Sequence, residues 1–317
     1  METMAPVTIQ STETAMSNEE LKQQIVNFLN DYSIEVTSHD AGKLDAIAAE
    51  LKPGTSVYVA HVPGVPLDEV VDLAGSIQQR GFTAVPHIIA RKLESREQLD
   101  QALGTLHELG VDQALVVAGD IAVENNAFES SLEVLETGLF DKHGFREVGV
   151  SGHPEGSTAI GAERVAQALR DKAAFAAKAG FKMRNVTQFG FDPDAVIAWE
   201  ASTTAEGVHL PIHAGVAGPA SLRQLVKFAA LCGIGSSARM LMTRTGAMAN
   251  LLRTQTPDEM ITHLARHRAS NPSSRLAKVH FFCFGGVAKT ARWVNTVLSG
   301  RFVLNNQGDG FRVEDVN

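Results

Sequence analysis

The feature that most constrains the fold is a regular alternation of short β-rich runs with segments of helical periodicity, beginning at Tyr32. Most of the β-rich runs are continuously apolar, which is typical of parallel strands buried on both faces. Eight strand-helix units in a chain of 317 residues predict a closed (β/α)8 barrel more than an open doubly wound sheet. The predicted strands lie at 32–37, 56–60, 84–90, 113–119, 146–152, the first part of 184–196, 209–215 and 278–285.

The same alternation predicts the domain organisation. Residues 1–25 lack the basic start and the apolar core of a signal peptide, and we expect them to be a disordered lead-in. Residues 26–317 are then a single (β/α)8 barrel domain. Between the seventh and eighth strands, residues 235–276 are an expected helical insertion that can cover one mouth of the barrel. No glycine-rich nucleotide-binding fingerprint follows a strand, which argues against an open nucleotide-binding sheet.

Composition excludes several classes of partner. The net charge of −8 and a pI near 5.8 exclude nucleic acid, because a phosphate backbone needs a basic face. No apolar stretch is long enough to predict a membrane span. The cysteines, Cys232 and Cys283, have no ligand or redox spacing, so we expect reduced, buried thiols and a cytoplasmic location. No metal site is predicted, because the histidines are scattered over different strands.

Polar side chains at the C-terminal ends of the strands form the candidate site, since barrels of this type carry out their chemistry at that face. These side chains are Glu35, His61, His87, Asp120, His153, Glu155, Ser157, Gln188 and His213.

Each of these residues has a structural alternative. Glu35 can equally be one half of a buried ion pair, and Asp120 can cap the next helix. A single histidine such as His87 or His213 is more often a core residue than a functional one. Gln188 interrupts an apolar run, and its amide can simply hydrogen-bond the backbone of a neighbouring strand. A Ser/His/Asp hydrolase is disfavoured, because no G-x-S-x-G elbow occurs.

Five segments at the predicted strand ends carry recognisable motifs. In chain order they are "AVPHI" (84–88), "VVAGD" (116–120), "VGVSGHPEGS" (148–157), "VTQFGFD" (186–192) and "KVHFFCFGGVAKT" (278–290). They resemble, in the same order, the motifs A-x-P-H-L, L-R-G-D, I-G-V-A-G-Y-P-E-G-H, I-T-Q-F-F-F-D and H-F-Y-T-L-N-R of the methylenetetrahydrofolate reductase family, whose members are FAD-containing (β/α)8 barrels. The ordered set covers most of residues 32–300 and is more specific than any single motif.

The resemblance implies roles for individual residues. Glu35 matches the first-strand glutamate that acts as general acid toward the folate, and Asp120 matches a carboxylate near the flavin and the pterin. Gln188 matches the glutamine that hydrogen-bonds the folate, and Phe189 beside it is an expected wall of the substrate site. The residues implied to contact FAD are His87, Ala118, Gly119, Asp120, His153, Glu155 and Ser157, with Lys172 or Arg170 as phosphate partners.

The chemistry of such a family fits these residue types. Opening the five-membered ring of methylenetetrahydrofolate gives an iminium ion and requires a proton on the departing nitrogen, which a carboxylic acid in an apolar environment can supply. A second carboxylate, Asp120, can stabilise the cation. The flavin carries the redox step, while the protein orients both rings.

The chain also departs from the family pattern. After Glu35 it reads "VTSHD" instead of F-F-P-P, and "CFGG" replaces T-L-N-R near the end. Ala60, Ala118, His153 and Ser157 stand where the family commonly has Thr, Arg, Tyr and His. We therefore expect FAD to be held by a partly different set of side chains.

The leading hypothesis is a flavoprotein that interconverts methylene- and methyltetrahydrofolate and can run as methyltetrahydrofolate oxidation. Its partners would be the folate and a nicotinamide or another electron carrier, with a homo-oligomer as the expected assembly. Two alternatives stay open. One is a non-catalytic flavin- or folate-binding barrel subunit of an electron-transfer assembly, and the other is a corrinoid-dependent methyltransferase barrel without flavin.

Overall fold

A closed barrel of parallel strands forms the centre of the computed structural model, which describes residues 16–119, 123–156, 161–234 and 252–314. The strands are β1 (Ser33–Val36), β2 (Ser56–Val59), β3 (Thr83–Ile89), β4 (Gln113–Val117), β5 (Glu147–Gly152), β6 (Lys182–Thr187), β7 (Ile212–Ala217), β8 (Ala220–Ser221), β9 (Thr254–Gln255), β10 (Leu276–Phe282), β11 (Phe302–Leu304) and β12 (Phe311–Val313). The barrel order β1-β10-β7-β6-β5-β4-β3-β2 confirms the predicted (β/α)8 architecture.

Side chains fill the inside of the barrel in the way that its strand periodicity requires. Tyr58, Val85, Leu115 and Val186 form an enclosed apolar cluster, separate from the larger core between strands and helices. Because successive side chains of a strand point to opposite faces, the continuously apolar runs supply both cores at once. The polar residues that interrupt these runs are therefore the informative ones.

The helices pack around the barrel. They are α1 (Asn18–Leu29), α2 (Leu44–Ala48), α3 (Leu67–Gln79), α4 (Arg96–Glu108), α5 (Ser131–Glu136), α6 (Leu139–Lys142), α7 (Ala162–Ala176), α8 (Pro193–Ala205), α9 (Leu222–Leu231), α10 (Asp258–Ser270) and α11 (Val287–Leu298), with 3-10 helices at Ser38–Lys43 and Ala90–Lys92. None of the helices in the described ranges is long and apolar enough to cross a membrane.

The prediction that residues 1–25 are a disordered lead-in is wrong for the last part of this segment. Helix α1 begins at Asn18, and its first turn is fixed by a capping box in which Ser17 and Glu20 bond each other's backbone N–H groups. Leu21, Ile25, Phe28 and Leu29 on this helix are buried. The amphipathic pattern of α1 thus starts inside the segment that the sequence assigned to the lead-in.

The predicted insertion at 235–276 is described only from residue 252 onward. Strand β9 pairs antiparallel with β8, and α10 packs against α1 and α8. Helix α10 therefore belongs to the outer helical layer and does not cover a mouth of the barrel. Residues 235–251 lie outside the described ranges.

The predicted burial of both cysteines is wrong for one of them. Cys232 is exposed at the end of α9, while Cys283 is half-buried beyond the end of β10. Its sulfur lies 3.6 Å from the backbone oxygen of Phe281, and burial raises the pKa of the Cys283 thiol to about 12. Cys283 is therefore an unreactive thiol near neutral pH.

Candidate active site

The central feature of the candidate site is a carboxylate approached by two imidazoles. Nε2 of His87 on β3 lies 3.5 Å from Oε2 of Glu35 on β1, and Nε2 of His280 on β10 lies 3.7 Å from the same oxygen. The Glu35 side chain is 14% exposed, so it is shielded but still accessible from the mouth of the barrel. Within the described residues, no hydrogen bond of its other carboxylate oxygen, Oε1, is found, and that oxygen is available to a ligand.

Burial keeps the imidazole of His87 neutral. Desolvation lowers the pKa of His87 to about 4, although the negative charge of Glu35 acts in the opposite direction. His213 on β7 is buried more deeply, and burial lowers its pKa well below the ordinary value, with a further contribution from Arg184. His213 lies 3.5 Å from the hydroxyl of Tyr58, inside the barrel and not at its mouth. The sequence-based candidate His213 is therefore an interior residue.

A wall of phenylalanine rings stands beside the carboxylate, at the C-terminal ends of β6, β7 and β10. Phe282 contacts the ring of His280 at 4.9 Å between centroids and that of Phe189 at 5.3 Å. Phe284 stacks on Phe228 at 4.2 Å with an interplanar angle of 14°. Flat aromatic faces of this kind suit a planar heterocycle.

Gln188 lies at the end of β6, next to this wall. Its Oε1 accepts a hydrogen bond from the backbone N–H of Phe189 at 3.1 Å, and its own backbone N–H donates to the carbonyl oxygen of Gly152 at 2.8 Å. The side chain thus bonds the backbone of the next residue and not, as the structural alternative had it, the backbone of a neighbouring strand. Its NH2 group is the half of the amide that can serve a ligand.

The loop after β5 faces Gln188 across a small cleft. His153, Glu155, Gln188 and Phe189 line this cleft together with Val196 and Ile234. A Cβ atom at Gly190 would lie 2.8 Å from Oε1 of Glu155, so this carboxylate would have to shift if residue 190 had a side chain. Ser157, predicted to contact the flavin, lies outside the described residues.

The loop after β4 is fixed by one arginine of the neighbouring loop. The backbone N–H of Arg91 donates to the carbonyl oxygen of Ala118, and Nη1 of Arg91 donates to that of Gly119, both at 3.0 Å. On the far side, the N–H of Val123 donates to the carbonyl oxygen of Arg91 at 2.8 Å. Asp120 lies outside the described residues. Arg91 thus holds both flanks of the segment that contains this proposed catalytic residue.

Lys172 on α7 is a buried amine, 7% exposed, for which no ion pair or hydrogen bond is found within the described part of the chain. Burial lowers the pKa of Lys172 to about 8. Arg170, the alternative phosphate partner, is instead paired with Glu163 at 2.9 Å and Glu206 at 2.6 Å. Of the two cations, Lys172 is therefore the one without a carboxylate partner among the described residues.

Two further histidines differ from the sequence-based prediction: His61 lies apart from Glu35, and His280 lies next to it. His61 does not join the carboxylate, because it is buried and its Nε2 lies 2.8 Å from the carbonyl oxygen of Val65. His280 does join it, although the sequence alone does not single out this histidine within the last motif. Its position at the end of a barrel strand, two residues before a phenylalanine of the wall, is the signal that could have found it. No cluster of potential metal ligands occurs among residues 16–119, 123–156, 161–234 and 252–314.

Comparison with solved structures finds distant similarity to two enzymes. One is dihydropteroate synthase (FolP) from Thermus thermophilus, with 14% identity over 83% of this chain and 91% of that chain, at a TM-score of 0.42. The other is Burkholderia cenocepacia dihydropteroate synthase, with 16% identity over 85% and 89% and a TM-score of 0.44. At these values neither structure bears on the residues of the site.

Comparison with family models gives a definite result. The methylenetetrahydrofolate reductase model matches residues 61–250, more than half of the chain, from the end of β2 to beyond α9. His87, Lys172 and Gln188 lie inside the matched range, while Glu35 and His280 lie outside it. The match supports an enzyme of the folate oxidoreductase type. This chain belongs to the methylenetetrahydrofolate reductase family.

Proposed function

We propose that the protein is an FAD-dependent oxidoreductase that interconverts 5,10-methylenetetrahydrofolate and 5-methyltetrahydrofolate. The observation that carries the proposal is the position of Glu35 at the barrel mouth, where His87 and His280 both approach its Oε2. Neither imidazole hydrogen-bonds the carboxyl in this structure, and both of its oxygens lie within reach of a ligand, as proton delivery requires. Family membership supplies the class of substrate.

Glu35 is the proposed general acid. Ring opening of methylenetetrahydrofolate needs a proton on the departing nitrogen, and Oε1 of Glu35 is the oxygen available to donate it. His87 is neutral near pH 7, because burial lowers its pKa to about 4, and does not neutralise Glu35 by forming an ion pair. Asp120 remains the proposed stabiliser of the cationic intermediate.

Substrate binding is assigned to Gln188 and the phenylalanine wall. Since Oε1 of Gln188 is occupied by the N–H of Phe189, the side chain offers hydrogen-bond donors and is suited to acceptor atoms of a pterin. Phe189 is 1% exposed and packs against the rings of Phe282 and Phe284, so the prediction that it is a wall of the substrate site is wrong. Phe282 and Phe284, which are only partly buried, supply apolar faces beside Gln188. This combination orients a planar ring and excludes water from the reacting atoms.

The residues present fit an FAD molecule. Lys172 is a buried cation that lacks an anionic partner among the described residues, and a phosphate would supply one. Gly119 has a φ of 88°, and a Cβ atom there would collide with Cγ2 of Ile89. The backbone of the loop after β4 therefore packs closely against the end of β3. Ala118, His153, Glu155 and Ser157 complete the proposed contacts. When bound, the flavin supplies hydride transfer.

A visible absorption spectrum followed by anaerobic mixing with methyltetrahydrofolate tests the proposal. We expect a flavin spectrum that bleaches on mixing, because electrons pass from the folate to the flavin. Protein that stays colourless after addition of FAD would rule the proposal out. Bound flavin that exchanges no electrons with either folate form would instead favour the non-catalytic subunit.

The variant Glu35→Gln separates proton delivery from cofactor binding. It should retain reducible FAD but lose folate turnover by a factor on the order of 10²–10⁴, the usual contribution of general acid catalysis. Glu97→Gln, an exposed substitution on α4, is the matched control and should behave as the unsubstituted protein. Unchanged turnover in Glu35→Gln would show that another group is the acid.

A further inference from the structure

A buried cation lies inside the barrel, next to the residues that surround Glu35. Arg184 on β6 is 1% exposed, and its Nε donates to the hydroxyl of Tyr58 on β2 at 2.9 Å. Its Nη1 lies 3.0 Å from Oε1 of Glu147. A buried guanidinium is costly unless it is paired and hydrogen-bonded. Glu147 supplies the countercharge and the hydroxyl of Tyr58 accepts from Nε, so the guanidinium is a fixed anchor for that hydroxyl.

A glycine of β5 lies beside the Arg184 side chain. A Cβ atom at Gly149 on β5 would lie 2.9 Å from Cδ1 of Leu115, 3.2 Å from Cγ2 of Val186 and 3.6 Å from Nε of Arg184. The barrel interior is therefore kept open at residue 149, and the arginine runs beside that opening toward β2. The glycine at position 149, the packing around it and the hydrogen bond from Arg184 to Tyr58 are thus compatible with one another.

Tyr58 touches both imidazoles that approach Glu35. Its ring centroid lies 4.3 Å from that of His280 and 6.2 Å from that of His87, the latter in an edge arrangement at 81°. Tyr58 itself is fully buried. On its other edge His280 is held by Ser33, whose Oγ lies 3.0 Å from Nδ1. The orientation of the two histidines is thus coupled to the orientation of one tyrosine ring.

We infer that Tyr58, tethered by Arg184, is a positioning residue that fixes the His87 and His280 rings and, through them, the direction in which Glu35 faces its substrate. This inference rests on the proposed role of Glu35 in proton delivery. Contacts between aromatic rings are directional, so a tyrosine whose hydroxyl is fixed favours one arrangement of both imidazoles. Small errors in the placement of a reacting group lower rates strongly.

Two variants remove the tether from opposite ends. Tyr58→Phe keeps the ring and its volume, and Arg184→Met removes the donor while leaving Glu147, whose side chain is 32% exposed, in contact with solvent. Tyr32→Phe is the matched control, because Tyr32 is also buried but contacts Phe281 instead of a histidine.

The first measurement is independent of activity. In protein labelled with ¹⁵N-histidine, the ring nitrogen signals of His87 and His280 should shift or broaden in both tether variants and stay unchanged in the control. Unchanged signals in Tyr58→Phe and Arg184→Met would overturn the inference whatever the enzyme does.

The second measurement is the single-turnover rate at which methyltetrahydrofolate reduces bound flavin. We expect Tyr58→Phe to lower this rate about tenfold while folate affinity changes less than about twofold. A loss of affinity that accounts for the whole change, or a rate that stays constant although the histidine signals move, would overturn the inference. Absence of any flavin-folate electron exchange in the unsubstituted protein would overturn the proposed function instead, and the histidine signals would still decide whether Tyr58 positions the two rings.

Discussion

Nε2 of His87 lies 3.5 Å from Oε2 of Glu35, and each of the two side chains is 14% exposed. An exposed pair of this kind would ionise as a salt bridge. Here burial outweighs the attraction, since it lowers the pKa of His87 to about 4. The contact is therefore one between a carboxyl group and a neutral imidazole at physiological pH. His87 therefore lies beside the acid without neutralising it.

The depressed pKa of His87 predicts a pH dependence of stability. In the unfolded chain a histidine takes up a proton near pH 6.5, whereas His87 in the folded protein does so only near pH 4. Between these values the unfolded state binds more protons, so stability is lost as the pH falls through this window, by on the order of 3 kcal/mol in total. Denaturant unfolding of His87→Gln should show a shallower loss between pH 6.5 and pH 4. An exposed substitution, His39→Gln, should leave the slope unchanged.

A second prediction concerns the interior glycine next to Arg184. Gly149→Ala should lower the free energy of unfolding by about 1–3 kcal/mol, because the new methyl group would lie 2.9 Å from Cδ1 of Leu115 and 3.2 Å from Cγ2 of Val186. The measurement is the denaturant midpoint at constant slope. Gly42→Ala is the control, because a Cβ atom there would meet nothing within 4 Å. Equal midpoints for the two variants would contradict the packing described for the barrel interior.

Much of the fold could be predicted from sequence because its signals are local. Each barrel strand is an apolar run, and each run precedes a helix-period segment, so the count of eight units is enough to predict closure. The start of α1 was not predicted, because its capping box, Ser17 with Glu20, lies in an otherwise polar segment. The position of helix α10 could not be predicted, because the sequence does not indicate which neighbours the apolar face of this helix contacts.

The candidate site was less accessible to sequence reasoning because its contacts join distant strands. Glu35 and His280 are 245 residues apart in the chain and meet only because β1 and β10 close the barrel. The hydrogen bond between Tyr58 and Arg184 joins β2 to β6 across the barrel, and such a contact has no local sequence signature. Gln188 could be found because an amide in an apolar run is visible locally, but which half of the amide is occupied depends on the backbone of Phe189.

The occupied carbonyl of Gln188 yields a third prediction. Gln188→Glu keeps an oxygen for the N–H of Phe189 but replaces the NH2 donors with a second acceptor. Folate affinity should fall by about 10- to 100-fold, since one hydrogen bond is lost and an anionic oxygen faces an acceptor. Titration of folate against flavin fluorescence or absorbance measures the change. Gln167→Glu, an exposed substitution on α7, should have no effect. Undiminished affinity in Gln188→Glu would show that the substrate does not accept from this side chain.

The last prediction separates the stability effect of Lys172 from its proposed contact with FAD. Burial lowers the pKa of this amine to about 8, and no ion pair compensates within the described residues. In the unfolded chain the amine keeps its proton up to about pH 10.4, so near pH 7 the folded protein carries a buried charge that costs on the order of 3 kcal/mol. The free energy of unfolding should accordingly rise with pH between these two pKa values.

Lys172→Met should therefore raise the denaturant midpoint of the protein without cofactor, because a thioether chain fills the same space without a charge. The same substitution should weaken FAD binding, since the phosphate would lose its buried cation. Flavin release during dialysis and the denaturant midpoint are measured on the same preparation, with Lys178→Met, an exposed position beyond the end of α7, as control. A variant that is more stable but retains FAD as well as the unsubstituted protein would remove Lys172 from the cofactor site. A variant that loses stability would contradict the uncompensated buried charge assigned to Lys172.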